Sequence, residues 1–243
     1  MQGMWLFWRQ CFPTGTQGGE DIKTTQTWKI GDCLQLLPEI PDKSIDLILT
    51  DPPYGINIAN TGFVGGTDSK TKNGKLTSFS VQKWDKTIPA KEIFKEMFRI
   101  SKNQIIFGGN YFIEYLSNSP CWLIWDKDNL NSPFADCELA WTSFASATRI
   151  FKWRWNGMLQ EDMKNKEERV HPTQKPVGLF KKILLKYSKE GDTICDPFLG
   201  SGTTLEACQD TNRNCIGFEL LHDWEEHYHR RLKTNLTKLD NFL

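Results

Sequence analysis

The sequence predicts an α/β protein, with a doubly wound, mostly parallel sheet that carries helices on both faces. Two observations indicate this fold. Short apolar runs typical of buried strands alternate along the chain with segments whose apolar residues recur at helical spacing. The chain has 243 residues, of which 39% are hydrophobic and 25% charged, and this is enough to bury one full core.

The predicted elements begin at about residue 28 and follow one another closely. A strand in "WKI" comes first, then a short helix over 34–37 and a buried strand over 44–49. The remaining segments are, in order, a helix in "AKEIFKEMFRISK", strands in "QIIFGG", "WLIWDK" and "CELAWTSF", a helix in "VGLFKKILLKYSK", a strand in "TICD", a helix in "TTLEACQD", a strand in "CIGFE" and a charged helix from about Asp223. This order predicts a single domain over 28–243.

Three stretches depart from this pattern. Residues 1–27 are predicted to be a loose leader, because their apolar patch is too short and too interrupted to span a bilayer and polar residues follow it. Residues 55–85 are predicted to be a mobile loop, because they contain almost no apolar anchors. Residues 146–170 form a short insert.

Charge and cysteine content narrow the protein class. Thirty basic and thirty acidic residues cancel, so the chain has no global basic field, although a local basic face remains open. None of the seven cysteines forms a Cys-x-x-Cys pair, and the C-terminal histidines lack a matching set of acids or cysteines. We therefore expect no metal site, and reduced thiols in a cytoplasmic protein.

The strand over 44–49 ends in an unusual way. The stretch "LTDPPYGI" places an acid, two prolines and an aromatic ring in succession, as Asp51, Pro52, Pro53 and Tyr54. The prolines fix the turn, so the carboxylate and the neighbouring carbonyl are held in place. The simpler interpretation is an Asp-Pro turn that ends a strand, with a tyrosine in the core.

A second strand end carries a ligand-binding pattern. The stretch "DTICDPFLGSGTTLEA" ends a strand at Asp196, continues through Gly200 and Gly202, and then opens a helix. Glu219 ends the next strand about 20 residues later, where an acid can hold ribose hydroxyls. The spacing matches neither a dinucleotide fingerprint nor a P-loop, so a nucleoside without phosphates fits better, and S-adenosylmethionine is such a molecule. The simpler interpretation is a plain strand-turn-helix with solvated acids.

Three motifs together resemble the DNA amino-methyltransferases. They are "DPPY" at 51–54, "HPTQKP" at 171–176 and "DPFLGSGTT" at 196–204. The base motif precedes the cofactor motif, which resembles the circularly permuted beta group of that family. The resemblance extends from about Trp28 to Lys238. It implies the class I S-adenosylmethionine-dependent methyltransferase fold, with methyl transfer to the exocyclic amine of a flipped base in duplex DNA.

The resemblance assigns catalysis to the tetrad. Asp51 and the Pro52 carbonyl would accept the amine hydrogens, Pro53 completes the stiff turn, and Tyr54 offers a flat face to the base. The segment 107–110, "FGGN", resembles the motif whose small residues shape the base pocket. An Asp at the first position of the tetrad usually accompanies adenine, which implies N6-methyladenine as product. Cytosine N4, RNA or protein amines, and a non-enzymatic nucleic-acid binder are the open alternatives.

The resemblance also implies a cofactor pocket. Asp32 is expected to contact the adenine of S-adenosylmethionine, and Lys175 to bring a charge to its methionine carboxylate. The full set of expected cofactor residues is Asp32, Cys33, Thr173, Gln174, Lys175, Asp196, Phe198, Gly200, Ser201, Gly202, Thr203, Thr204 and Glu219.

Double-stranded DNA is the implied partner. The residues expected to contact it are Lys70, Lys72, Lys75, Arg149, Lys152 and Arg154. The last three alternate with Trp153 and Trp155 in the insert, which suits a nucleic-acid contact. A homodimer and a restriction endonuclease partner are left open, and no membrane contact is expected.

Overall fold

The structure of the chain, a computed structural model, describes residues 24–56, 87–129, 135–156, 159–170 and 173–240, with the side chains of the last helix as far as Leu232. Most of the predicted leader 1–27 and of the predicted loop 55–85 lies outside these ranges. Lys70, Lys72 and Lys75 therefore stay predictions.

Ten strands and five α-helices are present in the described ranges. The strands are β1 (Gln26–Ile30), β2 (Ile45–Thr50), β3 (Ser101–Phe107), β4 (Trp122–Asp126), β5 (Cys137–Thr142), β6 (Arg149–Lys152), β7 (Trp155–Asn156), β8 (Leu159–Gln160), β9 (Thr193–Asp196) and β10 (Asn214–Glu219). The helices are α1 (Cys33–Leu36), α2 (Lys91–Ile100), α3 (Val177–Tyr187), α4 (Thr203–Gln209) and α5 (Glu225–Asp240).

Eight strands form one sheet in the order β1-β10-β9-β2-β3-β5-β4-β6, and β7 pairs with β8 in a separate hairpin. In the large sheet β5 is antiparallel to both of its neighbours, and the other strands run parallel. The chain continues from β2 to β3 on one side and from β9 to β10 on the other. The direction of winding therefore reverses between β2 and β9, and open parallel sheets bind ligands beyond the carboxyl ends of the strands at such a point.

A hydrophobic core covers each face of the sheet. In β2, Leu47 and Leu49 belong to one core and Ile48 to the other, as the two-residue period of a strand requires. Helices α1 and α2 cover the side of Ile48, where Phe94 and Met97 are buried three residues apart on one helix face. Helices α3 and α4 and the start of α5 cover the other side. The predicted doubly wound α/β class is confirmed.

One predicted boundary differs from the structure. Strand β1 begins at Gln26, inside the predicted leader, and Gln26 pairs with Cys215 of β10. Its side-chain amide donates to the Arg213 carbonyl at 2.9 Å. Because this edge strand starts with polar residues, no apolar run marked it. The insert 146–170 contributes β6 to the large sheet and contains the β7–β8 hairpin.

In the described part of the chain, no helix has the length and apolar content needed to cross a membrane.

Candidate active site

The ends of β2 and β9 lie side by side at the carboxyl edge of the sheet. The two strands are parallel neighbours, with Ile48 opposite Cys195. Asp196 is the last residue of β9, and Asp51 follows Thr50, the last residue of β2. A proline follows each aspartate. Two Asp-Pro turns from distant parts of the sequence therefore meet where the winding of the sheet reverses.

Asp51 lies in a cluster of charged side chains. Its Oδ2 accepts a hydrogen bond from Lys175 Nζ at 2.5 Å, and its Oδ1 accepts one from the Tyr54 hydroxyl at 2.5 Å. The side chain of Lys175 is 5% exposed and that of Asp51 is 21% exposed. Charge-assisted bonds between such groups are strong and directional. Both carboxylate oxygens therefore have fixed donors.

Glu138 completes this cluster, and no sequence motif predicted it. Its Oε2 lies 3.1 Å from Lys175 Nζ and 3.3 Å from the Tyr54 hydroxyl, and its Oε1 lies 2.6 Å from Lys127 Nζ. Two carboxylates and two ammonium groups thus adjoin, and their formal charges cancel. Glu138 is the second residue of β5, and the antiparallel direction of this strand places it at the edge where the parallel strands end.

The cluster changes the acidity of its members. Burial raises the pKa of Asp51, and the Lys175 ammonium offsets this only in part. Burial alone would lower the pKa of Lys175, but Asp51 and Glu138 outweigh it and raise this pKa, so the side chain stays an ammonium. Burial would raise the pKa of Glu138, yet Lys175 and Lys127 hold it well below its usual range.

These contacts change the interpretation of the "HPTQKP" segment. The motif predicts Lys175 as a partner of the cofactor carboxylate, whereas its ammonium is bound to two carboxylates of the protein. The amide of Gln174 is also engaged within the chain, since it donates to the Glu168 carbonyl at 3.1 Å and accepts from the Val170 amide at 3.0 Å. The sequence could not show either set of partners, because no motif marks them.

The ring of Tyr54 is packed tightly. Gly108 adopts a left-handed φ of +67°, and a Cβ at this position would lie 2.1 Å from Tyr54 Cε1, so only glycine leaves room for the ring. Tyr111 stacks on the ring with centroids 4.9 Å apart and planes 15° apart. Tyr111 is 43% exposed, so it can turn toward solvent without opening the core.

Asp196 is held by hydroxyl and amide groups. Its Oδ1 accepts from the Thr50 hydroxyl at 2.6 Å and from the Phe198 amide at 3.0 Å, and its Oδ2 accepts from the Thr204 hydroxyl at 2.5 Å. The side chain is almost completely buried. Burial raises the pKa of Asp196 to about 6 in spite of these bonds.

Glu219 organises the glycine-rich turn. Its Oε2 accepts from the Gly200 amide at 2.8 Å and its Oε1 from the Leu221 amide at 3.0 Å. The Tyr228 hydroxyl donates to the Gly200 carbonyl at 2.7 Å. Gly202, with a φ of +79°, fits against the Tyr228 ring, where a Cβ would come within 2.8 Å. The turn is therefore fixed before any ligand binds.

Asp32 lies at the same edge, just after β1. It caps the N-terminus of α1, where its Oδ1 accepts from the Leu34 amide at 2.9 Å. The Gly31 amide donates to the Glu219 carbonyl at 2.7 Å, which ties the end of β1 to that of β10. Burial, together with the charge of Asp32, raises the pKa of the Cys33 thiol to about 12, so this thiol stays protonated.

A cavity of about 880 Å³ joins the two strand ends. The predicted residues that line it are Asp32, Cys33, Asp51, Pro53, Thr173, Gln174, Lys175, Asp196, Phe198, Gly200, Ser201, Thr203, Thr204 and Glu219. Pro52, Tyr54 and Gly202 are not among its lining residues. Pro89, Ile93, Phe180 and Trp224 add apolar wall that no motif predicted.

Two of the basic residues that the insert was predicted to offer to DNA are paired with an acid of the chain. Lys152 Nζ lies 2.8 Å from Asp128 Oδ1, and Arg154 pairs with the other oxygen of Asp128. Trp153 packs against the core beside α3, and Trp155 is buried. Trp155 is therefore covered and Trp153 only partly exposed, while the two basic side chains remain exposed, and the contact of this segment with DNA stays a prediction.

Comparisons with known proteins identify the family. The protein-family model for DNA methylases of the N6/N4 type matches residues 125–230 of this chain. The Type II methyltransferase M.HinfI of Haemophilus influenzae is 30% identical in an alignment that covers 84% of this chain and 67% of that protein. The Type II methyltransferase M.HpaI of Haemophilus parainfluenzae is 27% identical in an alignment that covers 86% of this chain and 75% of that protein.

Solved structures share the fold. The complex of M1.HpyAVI with SAM superimposes with a TM-score of 0.53 at 22% identity, over 85% of this chain and all of that one. The PvuII DNA methyltransferase, described as cytosine-N4-specific, superimposes with a TM-score of 0.54 at 17% identity, over 88% of this chain and 89% of that one. The fold is that of these methyltransferases, and by its sequence the chain belongs to the family of DNA amino-methyltransferases.

Proposed function

We propose that the chain transfers a methyl group from S-adenosylmethionine to the N6 amine of a flipped adenine in double-stranded DNA. The observation that carries this proposal is the shared cavity, which Asp51 lines together with Asp196 and Glu219. Methyl donor and amine acceptor have to be held together for transfer, and one space between the two strand ends permits this. Membership of the DNA methylase family supports DNA as the substrate.

The residues present fit S-adenosylmethionine, which supplies the methyl group when bound. Glu219 would hold the ribose hydroxyls, because each of its oxygens accepts one backbone N–H and keeps further lone pairs for hydroxyl donors. Phe198 and Ile93 give an apolar wall for a planar base. The Asp196 carboxylate suits the cationic methionine part. M1.HpyAVI, which shares the fold, was solved with this cofactor.

The acceptor side would work through Asp51 and the Pro52 carbonyl. An exocyclic amine is a poor nucleophile, because its lone pair is delocalised into the ring. Hydrogen bonds from its two N–H groups to these acceptors orient the amine and stabilise the positive charge that develops on nitrogen. Because burial raises the pKa of Asp51, its carboxylate is also a better acceptor for the proton that the amine releases.

Adenine is proposed as the target on the identity of the first tetrad residue, Asp51. Tyr54 supports the assignment, because its ring offers a face to a purine if Tyr111 turns away. Cytosine N4 is the alternative. The PvuII enzyme, cytosine-N4-specific by its description, has the same fold at 17% identity, so the fold does not select the base.

Arg149, Lys152 and Arg154 are proposed as contacts with DNA phosphates. All three are exposed on or beside β6, the outer strand on that side of the sheet. Lys152 and Arg154 share Asp128, so each would contribute less than an unpaired cation. A homodimer, a restriction endonuclease partner and the lysines of the predicted loop stay predictions.

Transfer of a tritium-labelled methyl group to duplex DNA, followed by digestion to nucleosides, tests this proposal. We expect label in N6-methyladenine, and label in N4-methylcytosine would change the base but keep the reaction. Transfer to RNA or protein alone, or to nothing, would contradict the proposal. For the acid-to-amide variants described below, Glu190→Gln is the matched control. This exposed carboxylate precedes β9 at the opposite edge of the sheet and should leave transfer unchanged.

A further inference from the structure

The charged cluster at Asp51 contains one acid that the proposed reaction does not use. Glu138 is 22% exposed, and it does not line the cavity. It belongs to neither the tetrad, the glycine-rich turn nor the "HPTQKP" segment. A buried carboxylate costs stability unless it is paired, so its placement among three donors calls for a physical explanation.

We propose that Glu138 is a positioning residue for methyl transfer, which binds the Lys175 ammonium and the Tyr54 hydroxyl and keeps both against Asp51. The inference rests on the proposed function, in which Asp51 accepts the amine hydrogens. Glu138 acts through these two groups and not on the substrate.

The geometry gives Lys175 and Tyr54 the same two anchors. Lys175 Nζ lies 2.5 Å from Asp51 and 3.1 Å from Glu138, and the Tyr54 hydroxyl lies 2.5 Å and 3.3 Å from the same two acids. Lys175 Nζ also lies 3.3 Å from the Tyr54 oxygen. Four side chains thus close a ring of hydrogen bonds, and an ammonium with three donors is satisfied within it. Without Glu138, Asp51 would be the one carboxylate left in this ring to hold both Lys175 and Tyr54.

The charge of Glu138 also matters for the transfer. The Lys175 ammonium beside Asp51 opposes the positive charge that develops on the amine. Glu138 compensates for Lys175 at short range, where a poorly solvated pair interacts strongly. Lys127 on the far oxygen of Glu138 keeps the cluster neutral as a whole. Asp51 can then present its own negative charge to the amine.

The groups that face Asp51 set its proton affinity. Lys175 lowers the pKa of Asp51, and so does the hydrogen bond from Tyr54, whereas Glu138 raises it. Asp196 faces Asp51 from the neighbouring strand end, and the two carboxylates are close enough to affect each other. Removal of the Glu138 charge, with the other groups kept, therefore makes Asp51 a weaker base.

Glu138→Gln tests the inference, because the amide still accepts from Lys175 but carries no charge. We expect kcat for DNA methylation to fall roughly 10-fold to 100-fold, with KM for DNA and for the cofactor nearly unchanged. We also expect the acid limb of the kcat profile to move to lower pH, by about one unit. Glu138→Asp restores the charge, so the acid limb should return toward that of the unmodified protein.

A purely structural role would lower kcat without moving the acid limb, and that outcome would overturn the inference. A kcat within about twofold of the unmodified protein would overturn it as well, because the inference requires a fall of roughly 10-fold or more. Glu190→Gln should leave both quantities unchanged.

Carbon-13 NMR titration of the Asp51 carboxyl separates this inference from the proposed function, because it needs no turnover. The carboxyl should titrate at lower pH in Glu138→Gln than in the unmodified protein. An unchanged titration would reject the role of Glu138 even if DNA is methylated. The expected shift in a protein that transfers no methyl group to DNA would keep the cluster as described and reject the function.

Discussion

The two Asp-Pro strand ends carry the same dipeptide in different electrostatic settings. Asp51 is bound by an ammonium and a phenol, and a second carboxylate lies beside that ammonium. Asp196 is bound by two hydroxyls and one backbone amide, all of them uncharged. The local motif gives the position of each carboxylate, while the donors that the rest of the fold brings decide its chemistry.

The difference suits the two proposed roles. Asp51 has its counter-charge inside the protein, so it can meet a neutral amine and still support a growing positive charge. Burial raises the pKa of Asp196 to about 6, and no cationic partner among its hydrogen-bond donors offsets this. A cationic ligand would supply the missing charge. Substitutions at the two strand ends test whether Asp51 and Asp196 differ in this way.

The largest expected effect is the loss of transfer in Asp51→Asn. This change keeps the size of the side chain but removes the charge that faces the amine, so the rate of methyl transfer should fall by about 1,000-fold or more. Cofactor affinity should stay within a few-fold, because Asp196 and Glu219, the acids proposed to hold the cofactor, are unchanged in this variant. Tritium transfer and calorimetry measure the two quantities. Loss of cofactor binding in this variant would show that Asp51 contacts the cofactor and would contradict its assignment to the base.

Asp196→Asn should change how stability depends on pH. Between its ordinary pKa of 3.8 and about 6, the folded chain keeps a proton on Asp196 that the unfolded chain has released. The free energy of unfolding therefore falls as pH rises through this window, by about 3 kcal/mol from this group. The asparagine variant should lack this contribution. Urea unfolding of both proteins from pH 4 to 7 provides the test, and parallel curves would mean that Asp196 ionises normally.

Gly108→Ala and Gly200→Ala compare backbone strain with steric conflict at the two ends. Both glycines have positive φ, but a Cβ at Gly108 would meet the Tyr54 ring at 2.1 Å, whereas one at Gly200 would come no nearer than 3.9 Å to the Phe198 carbonyl. Each should lose about 1 kcal/mol to strain, and Gly108→Ala should lose about 2 kcal/mol more to overpacking. Urea unfolding at one pH measures the difference. Equal losses would show that the ring of Tyr54 moves aside at no cost.

The smallest expected effect is that of Glu219→Ala on cofactor affinity. The change removes the acceptor of the Gly200 and Leu221 amides and the acid proposed for the ribose. Cofactor Kd should rise about tenfold, which corresponds to one charged hydrogen bond. The rate at saturating cofactor should stay within a few-fold, because Asp51 is untouched. If calorimetry gives an unchanged Kd, the ribose contact lies elsewhere.

Most of the fold could be predicted because each core strand and helix carries its own apolar period. Strands β2, β9 and β10 and helices α2, α3 and α4 all appear where the sequence predicted them. Strand β1 was predicted short, because Gln26 and Thr27 are polar and edge strands need no continuous apolar run. Boundaries of that kind are fixed by partner strands, which the local sequence does not show.

The candidate site could be predicted only in part. Asp196 and Glu219 are the last residues of their strands and Asp51 follows its strand directly, so parallel pairing alone brings the three acids to one edge. Glu138 could not be found in this way, because it begins an antiparallel strand and reaches the edge from the opposite direction. The partners of Lys175 were also missed, because ion pairs between residues far apart in the sequence leave no spacing that the sequence shows.

The hydroxyl of Thr50, which donates to Asp196 at 2.6 Å, keeps the distance between the two Asp-Pro turns constant. Thr50 is bonded through one peptide link to Asp51, so the proposed methyl-donor side and the proposed amine-acceptor side of the cavity are separated by a few covalent bonds and one short hydrogen bond. Thermal motion of two loops would blur the distance between reactants, whereas a span this short changes little at ordinary temperatures. In the proposed reaction, a misaligned transfer would then result from the way the base enters the cavity and not from the alignment of the donor side with the acceptor side.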